Sequence, residues 1–241
     1  AIDVDWDRFA DEELSALAEW VSRGGGGMIF SAGPVFTPPA VRRGLPDPLR
    51  TLLPVALRDD PLAFSVAIEA SRDAWPVRPT PSGRDAAFLQ PPAEQAWDGF
   101  DGFFGTPLPS DVKPGATVLA RPGDRGDESP PLVVEHFFGA GRVAYVAAAE
   151  TWRLRQATPD WFVAWHASLL RRVSQGRVRG AAAEGSLLLD RSRYDLGEAV
   201  TLRYVARSPD SAREPASRVA RIAAADADPE EVVLAAVEGQ S

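Results

Sequence analysis

The sequence predicts an α/β domain over residues 1–180, followed by the first strands of an all-β sandwich over residues 185–241. Three observations carry this prediction. An amphipathic helix, a run of glycines and a short apolar strand follow one another near the start of the chain. Further strands and a second amphipathic helix continue the alternation. After residue 185 the apolar residues recur with a period of two, which is typical of strands with one buried face.

The first part of the chain predicts a strand end, a helix and a buried strand. Ala1 to Val4 is interpreted as the tail of a strand. The helix is predicted over Asp11 to Arg23 because its apolar residues have helical spacing: Leu14, Leu17, Ala18 and Val21. The glycines from Gly24 to Gly27 end it, since glycine tolerates the left-handed conformation of a C-cap. Met28 to Ala32 then predicts a buried strand.

The middle of the chain has fewer regular signals. Residues 34–62 are rich in Pro and Arg and predict one short helix at Pro48 to Leu53. Leu62 to Ile68 predicts a strand. Residues 71–114 predict a long irregular insertion with an aromatic cluster at Trp97, Phe100, Phe103 and Phe104. Insertions of this size commonly carry function or cover a surface.

Three strands and a helix are predicted next. The strands are Thr117 to Arg121, Leu132 to Phe137 and Arg142 to Ala148, with a hairpin turn at Gly139-Ala140-Gly141. Thr158 as N-cap and Pro159 at the first position predict the start of the helix, which ends near Gln175-Gly176. Its apolar face consists of Trp161, Phe162, Trp165, Leu169 and Val173.

The last part of the chain predicts strands only: Leu187 to Leu189, Val200 to Val205, Val219 to Ile222 and Glu231 to Val237. This is the start of a β-sandwich. Four strands are too few for a whole immunoglobulin-like sandwich, so we expect the second domain to continue beyond Ser241.

Composition excludes several functions. The chain has 241 residues, no cysteine and a net charge of -8. Without cysteine there is no disulfide, thiolate metal site or thiol nucleophile. The negative charge argues against nonspecific nucleic-acid binding, which needs a basic surface. No apolar run reaches the roughly 18 residues of a membrane-spanning helix, so any membrane attachment is expected through segments outside this chain.

Several segments, in this order along the chain, resemble one known domain. They are Leu17 to Gly33, Leu52-Leu53-Pro54-Val55, Lys113 to Ala120, Gly141-Arg142-Val143 with Thr151-Trp152-Arg153, and Arg193 to Val200. The chain resembles the class I glutamine amidotransferase-like domain of large bacterial membrane-anchored proteins, which often also carry von Willebrand A-type modules. The resemblance implies a flavodoxin-like three-layer fold on the periplasmic face of the inner membrane, with β-sandwich domains following. The implied partners are other domains of the parent or another protein.

The resemblance also implies that catalysis has been lost. Active members of the wider fold use Cys, His and Glu, with the Cys on a sharp strand-to-helix elbow. The elbow corresponds here to Ser31-Ala32-Gly33-Pro34 and the His-Pro-Glu segment to Ala148-Ala149-Glu150. Only the acid remains. We therefore expect a pseudoenzyme without a cofactor, acting as a scaffold or interaction module.

Two other functions are possible from the residues. An amidohydrolase that uses Ser31 would need a base within hydrogen-bond reach, and His136 and His166 are interpreted as structural. A carbohydrate- or peptide-binding module would use Glu150, Trp152 and Arg153, or Trp97 in the insertion. The alternative for the first three is a Glu150–Arg153 ion pair beside a half-buried tryptophan.

The acidic residues Asp3, Asp5, Asp7 and Asp11 suggest a calcium loop. An EF-hand loop requires Gly at its sixth position and Glu at its twelfth. Arg8 and Leu14 occupy those positions here. No metal site is therefore predicted, and the carboxylates are interpreted as an acidic loop near a helix N-terminus, where the helix dipole favours negative charge.

Overall fold

The computed structural model describes residues 2–59, 74–90, 100–104, 110–123, 130–178, 185–189, 200–206, 217–222 and 230–235. The described helices are α1 (Asp11–Ser22), α2 (Thr37–Arg43), α3 (Asp47–Leu52), α4 (Pro81–Arg84), α5 (Leu154–Ala157) and α6 (Pro159–Val178). Short 3₁₀ helices cover Trp6–Arg8, Ala87–Leu89 and Thr151–Arg153. A mixed sheet with these helices confirms the α/β class.

The strands fall into one main sheet and three small ones. They are β1 (Gly27–Ser31), β2 (Val55–Leu57), β3 (Val77–Pro79), β4 (Ser110–Val112), β5 (Thr117–Pro122), β6 (Val133–Phe138), β7 (Gly141–Val146), β8 (Gly185–Leu189), β9 (Leu202–Ala206), β10 (Ser217–Ile222) and β11 (Glu230–Ala235). The main sheet has the order β1-β7-β6-β5-β3. The pairs β2–β4, β8–β9 and β10–β11 are separate and antiparallel.

Strand β1 lies at the end of the main sheet. It pairs with β7 in parallel, whereas the β7–β6, β6–β5 and β5–β3 pairs are antiparallel. On its other side, Ile2 forms an isolated parallel bridge with Ser31. The expectation that the chain starts as the tail of a strand fits this bridge. The segment after Ile2 therefore begins beside the carboxyl end of β1.

Helices cover both faces of the main sheet. Adjacent residues of a strand point to opposite faces, and on β6 Glu135 binds Arg172 of α6 while His136 binds the carbonyl of Leu52 in α3. On the α6 face, a methyl group at Gly27 would lie 2.4 Å from the Val173 carbonyl oxygen, so only glycine permits this close packing. Helix α1 packs beside α3.

The core is aromatic on both faces of the sheet. The indole of Trp6 stacks on Phe30 at 5.7 Å, and Phe30 lies 6.0 Å from Tyr145. On α6, Trp165 meets the edge of Phe88 at 5.0 Å, and Trp161, Trp165, Leu169 and Val173 are all buried. The apolar face predicted for this helix is thus the buried one, with Phe162 partly exposed at its margin.

Most predicted elements are confirmed within one or two residues, and the β6–β7 hairpin turns at Gly139-Ala140 as expected. Three predictions need correction. Residues 34–62 hold the helix α2 and the strand β2 in addition to the one short helix predicted there. Helix α6 does begin at Pro159 directly after Thr158, but the Thr158 hydroxyl is buried without a hydrogen bond, so its side chain does not cap the helix. The insertion is not wholly irregular, because β3 joins the main sheet and β4 pairs with β2. Proline is tolerated in β3 because β3 is an edge strand.

The predicted strands after residue 185 are also present. Leu187 pairs with Tyr204 in the β8–β9 ladder, and Val219 pairs with Val233 in the β10–β11 ladder. The assignment of these two ladders to a sandwich stays a prediction. The strand predicted at Leu62 to Ile68 and the residue Trp97 lie outside the described residues.

Candidate functional site

Ser31, the candidate nucleophile, ends β1 and points toward the loop after β7. Its side chain is buried, with 8 % of the residue exposed. The hydroxyl donates to the carbonyl oxygen of Ala148 at 3.3 Å, a long distance for such a bond. Within the described ranges this carbonyl is the hydroxyl's only hydrogen-bond partner. A backbone carbonyl cannot take up a proton, so Ser31 has no base at this contact.

The backbone amides that follow the elbow are bound by a carboxylate of the chain itself. Asp3 accepts hydrogen bonds from the amides of Val35 and Phe36 at 2.9 Å and of Thr37 at 3.0 Å. The Thr37 hydroxyl donates to the same carboxylate at 3.1 Å and accepts from the Gly33 amide at 3.0 Å. Asp3 thus neutralises the donors at the start of α2 that could otherwise hold an anion.

The close approach of Asp3 explains two backbone features. A methyl group at Gly33 would lie 2.3 Å from Cβ of Asp3, so this position requires glycine. Asp3 itself has a φ of 43°, a left-handed conformation that Asp and Asn adopt more readily than other non-glycine residues. Asp3 does lie at a helix N-terminus, as the acidic-loop interpretation holds, but the helix is α2 and not the neighbouring α1.

Glu150, the remaining acid, is held by two donors. Its Oε2 accepts from Nε of Arg153 at 2.7 Å and from the backbone amide of Phe104 at 3.1 Å. The Phe104 amide belongs to the predicted insertion, so this bond ties the insertion to the loop after β7. Glu150 therefore serves as a local structural acceptor, and it does not bond to either histidine.

Trp152, which is exposed, and Arg153, which is partly buried, form a cationic–aromatic cluster beside Glu150. The Arg153 guanidinium lies 4.5 Å from the centre of the Phe104 ring and 4.6 Å from that of Trp152. Trp152 is 49 % exposed. The structure thus brings three of the four predicted binding candidates together, and the fourth, Trp97, lies outside the described residues. Arg153 stacks on Trp152, so this indole is partly covered.

The two histidines have structural partners. His166 Nδ1 lies 2.8 Å from the Phe162 carbonyl oxygen, which identifies Nδ1 as the protonated nitrogen. Its Nε2 then accepts from the Thr151 hydroxyl at 3.4 Å. His136 Nε2 lies 2.8 Å from the Leu52 carbonyl oxygen, and burial lowers the pKa of this imidazole. Neither imidazole is hydrogen-bonded to Ser31.

The acidic residues near the start of the chain have separate partners. Asp5 pairs with Arg8 at 3.2 Å, Asp7 pairs with Arg43, and Asp3 caps α2. Among the described residues no three His, Asp or Glu side chains converge as they would on a metal ion. Over the same residues, no helix is long and apolar enough to cross a membrane.

An apolar groove beside β1 is the feature that sequence reasoning missed. It measures about 550 Å³ and lies between β1, α1 and α6, with Ser31, Thr151 and His166 among its lining residues. Large apolar side chains on its rim are exposed: Ile2, Phe9, Trp20 and Leu170. A signal was present in the sequence, because Trp20 and Leu170 are apolar residues outside the buried stripes of α1 and α6.

The comparisons with known proteins add no constraint to this site. No protein-family model matches the chain, and a search of curated proteins finds no match.

Proposed function

We propose that this chain is a non-catalytic, class I glutamine amidotransferase-like module that acts as a scaffold or interaction domain in a larger membrane-anchored bacterial protein. The observation that carries the proposal is the bonding at the elbow. The Ser31 hydroxyl donates to the Ala148 carbonyl, and the amides after the elbow are bound by Asp3. Acyl transfer requires an activated nucleophile and a site for the developing negative charge. At the elbow, one of these contacts opposes the first requirement and the other opposes the second.

The first requirement is an activated nucleophile. A serine acts as one when a neighbouring base takes its proton, and the base is in turn oriented by a third group. Ser31 instead donates to a carbonyl, which stabilises the neutral hydroxyl. Removing a nucleophile or its base from such a triad eliminates most of the rate enhancement. This arrangement supports a domain that has the amidotransferase-like fold but does not catalyse acyl transfer.

The second requirement is a site for the negative charge that develops on the substrate. Free backbone amides at a helix N-terminus provide one. Here the amides of Val35, Phe36 and Thr37 already bind a full negative charge on Asp3. A second anion at the same amides would meet electrostatic repulsion from that carboxylate. The elbow is consequently unfavourable for an oxyanion.

The wider assignment forms part of the same proposal. Helices on both faces of the sheet and the parallel β1–β7 pair support a flavodoxin-like arrangement, whereas the other three pairs of the main sheet are antiparallel and depart from it. The ladders after residue 185 support an immunoglobulin-like sandwich. The periplasmic face of the inner membrane is the location that the resemblance implies. The exposed apolar rim of the groove beside β1 supports an interaction role, since contiguous exposed apolar surface commonly marks a binding site.

A second candidate function is supported by the exposure of Trp152. A half-exposed indole beside the Arg153 guanidinium could bind a carbohydrate ring or a peptide. Titration of Trp152→Phe and wild type with oligosaccharides and short acidic peptides, followed by calorimetry, tests it. Binding that is lost in Trp152→Phe supports this candidate, and equal heats for the two proteins remove it.

The main proposal is tested by hydrolysis assays on the whole chain. Ammonia release from glutamine and from simple amides, and release of p-nitrophenol from short esters, should stay at the level of Ser31→Ala. Turnover that Ser31→Ala abolishes, with the fold retained by circular dichroism, would establish the amidohydrolase alternative and refute the proposal. Glu150→Gln is the matched control, because it changes a carboxylate that does not contact Ser31.

A further inference from the structure

The apolar groove beside β1 has one polar end and one apolar end. Ser31 ends β1, and Thr151 lies in the segment after β7 at the same end of the sheet. His166 of α6 lies there too, since its Nε2 is 3.4 Å from the Thr151 hydroxyl. At the opposite end, Gly27 packs against Val173. A groove built in this way matches a molecule that is itself polar at one end only.

The size and position of the groove fit a small-molecule site. Its volume is about 550 Å³, and ligand pockets commonly measure about 300 to 1,000 Å³ and combine apolar walls with few polar groups. Ligands of open α/β sheets bind at the carboxyl ends of the parallel strands. The parallel pair of this sheet, β1 and β7, ends beside the polar end of the groove. Strand β1 is about 13 Å long, which sets the approximate length of a ligand lying along it.

The walls of the groove favour an uncharged occupant. Leu17 of α1 lies on one side, and Leu169 and Val173 of α6 lie on the other. Among the described residues that line the groove, none is Asp, Glu, Lys or Arg. A charge buried between these walls would have no partner, which is costly. An alkyl chain, in contrast, would be stabilised by the apolar surface that it removes from water.

The polar end of the groove determines the head group. His166 donates from Nδ1 to the Phe162 carbonyl oxygen, so its Nε2 is an acceptor. The Thr151 hydroxyl donates to this Nε2 at 3.4 Å, which is longer than an ordinary hydrogen bond. A ligand hydroxyl beside both groups would donate to Nε2 and accept from Thr151, so each would gain a shorter bond. A carboxylate has no proton to donate to Nε2, so a hydroxyl fits this end better.

We propose that the groove is a binding site for an uncharged amphiphile, namely an aliphatic alcohol whose hydroxyl lies at Thr151 and His166 and whose chain extends toward Val173. Ile2 and Leu170, which are exposed on the rim, would lie against this chain. The site goes beyond the proposed function and does not depend on the loss of catalysis. Its hydrogen bonds are made by side chains, so the strand edge of β1 takes no part in it.

The experiment titrates the whole chain with 1-octanol, which fits within the length of β1. Binding is followed by tryptophan fluorescence and by calorimetry. Trp6 and Trp165 line the groove, so the emission should change as the ligand binds. We expect saturable binding at a single site. Sodium octanoate has a chain of the same number of carbons and a charged head, and it should bind at least about tenfold more weakly.

Three variants link the binding to the groove. Thr151→Val keeps the shape of the side chain and removes its hydroxyl, so it should weaken 1-octanol binding about threefold to tenfold and reduce the preference over octanoate. Leu170→Glu places a charge on the rim and should weaken binding at least about tenfold. Val163→Glu is the matched control and should retain the affinity, because Val163 lies on the same helix, is 64 % exposed and does not line the groove. The two substitutions by Glu are at exposed positions, so the fold should persist in both.

Several outcomes would overturn the proposal. Absence of saturable 1-octanol binding, or octanoate binding that is equally tight, would contradict the assigned ligand class. Affinity unchanged by Leu170→Glu would place the ligand elsewhere, and affinity unchanged by Thr151→Val would refute the contact with the hydroxyl. A dimer of the chain in light scattering, dissociated by Leu170→Glu and not by Val163→Glu, would assign the groove to a second copy. None of these outcomes alters the hydrolysis assays, so failure of this inference and failure of the proposed function are distinguishable.

Discussion

The buried ion pair between Glu135 and Arg172 allows a sharp test of how the main sheet is stabilised. Glu135 is 6 % exposed and accepts from Nε and Nη2 of Arg172 at 2.7 and 2.6 Å. Arg142 Nη1 lies 3.6 Å from the same carboxylate. The pair links β6 to α6, and a second cation lies within ion-pair distance. Arg172→Met removes the bidentate partner and leaves Arg142.

The expected cost follows from the burial of the carboxylate. Removing one partner of a buried ion pair costs about 3 to 5 kcal/mol, because the other charge stays buried. The remaining contact with Arg142 offsets part of this loss, so we expect a value of about 3 kcal/mol, at the lower end of that range. For a chain of this length, the corresponding fall in Tm is about 6 to 12 °C.

The assay is urea denaturation followed by tryptophan fluorescence. All seven tryptophans lie between Trp6 and Trp165, so the signal reports the α/β part of the chain. Arg171→Met is the matched control, because Arg171 is exposed and its Nε donates to the Ala167 carbonyl at 3.2 Å. The control should cost less than about 0.5 kcal/mol. Equal unfolding free energies for Arg172→Met and Arg171→Met would refute the reasoning.

Three further predictions use the same denaturation assay. Asp3→Ala should cost about 2 kcal/mol through the lost cap of α2, and a loss no larger than that of Asp3→Asn would contradict the role of its charge. Trp165→Ala should cost about 3 to 5 kcal/mol, because the buried indole packs on the edge of Phe88 at 5.0 Å, and a cost below about 1 kcal/mol would contradict this packing. Because burial lowers the folded-state pKa of His136 below its ordinary value of 6.5, its stabilising contribution is complete above pH 6.5 and declines as the pH falls below it. His136→Gln should flatten that decline between pH 7.5 and 5.5, and an unchanged slope would count against it.

The sequence predicted those helices and strands whose apolar periodicity and turn residues lie within one continuous segment. The stripe of α1 and the glycines after it placed that helix to within one residue, and the β6–β7 hairpin followed from its turn residues. Strand β3 was missed because its proline content argues against a strand, and only its place at the sheet edge makes that proline acceptable. The β2–β4 pair was missed because pairing between distant segments leaves no local periodicity.

The site was predictable in position but not in bonding. Strand order placed Ser31 and Ala148 at the same end of the sheet, and the two residues are in contact there. The capping of α2 by Asp3 spans 34 residues in the sequence and arises from the left-handed backbone at Asp3, which no spacing rule predicts. The apolar groove beside β1 was not predicted from the sequence, because the three elements that form it, β1, α1 and α6, are separate in the chain.

The position of Asp3 bears on whether catalysis could be introduced at the elbow. In a Ser31→Cys variant the new thiol would meet the same Ala148 carbonyl, and no base among the described residues is hydrogen-bonded at this position. The thiol should then ionise no more readily than free cysteine, with a pKa of about 8.5 or higher, which the pH dependence of its alkylation would measure. Releasing the α2 amides requires the loss of the Asp3 carboxylate, which should destabilise the fold because three backbone amides lose their acceptor. Freeing these amides for an oxyanion would therefore cost stability, so the contact that holds α2 in place is also the contact that keeps an anion away from the elbow.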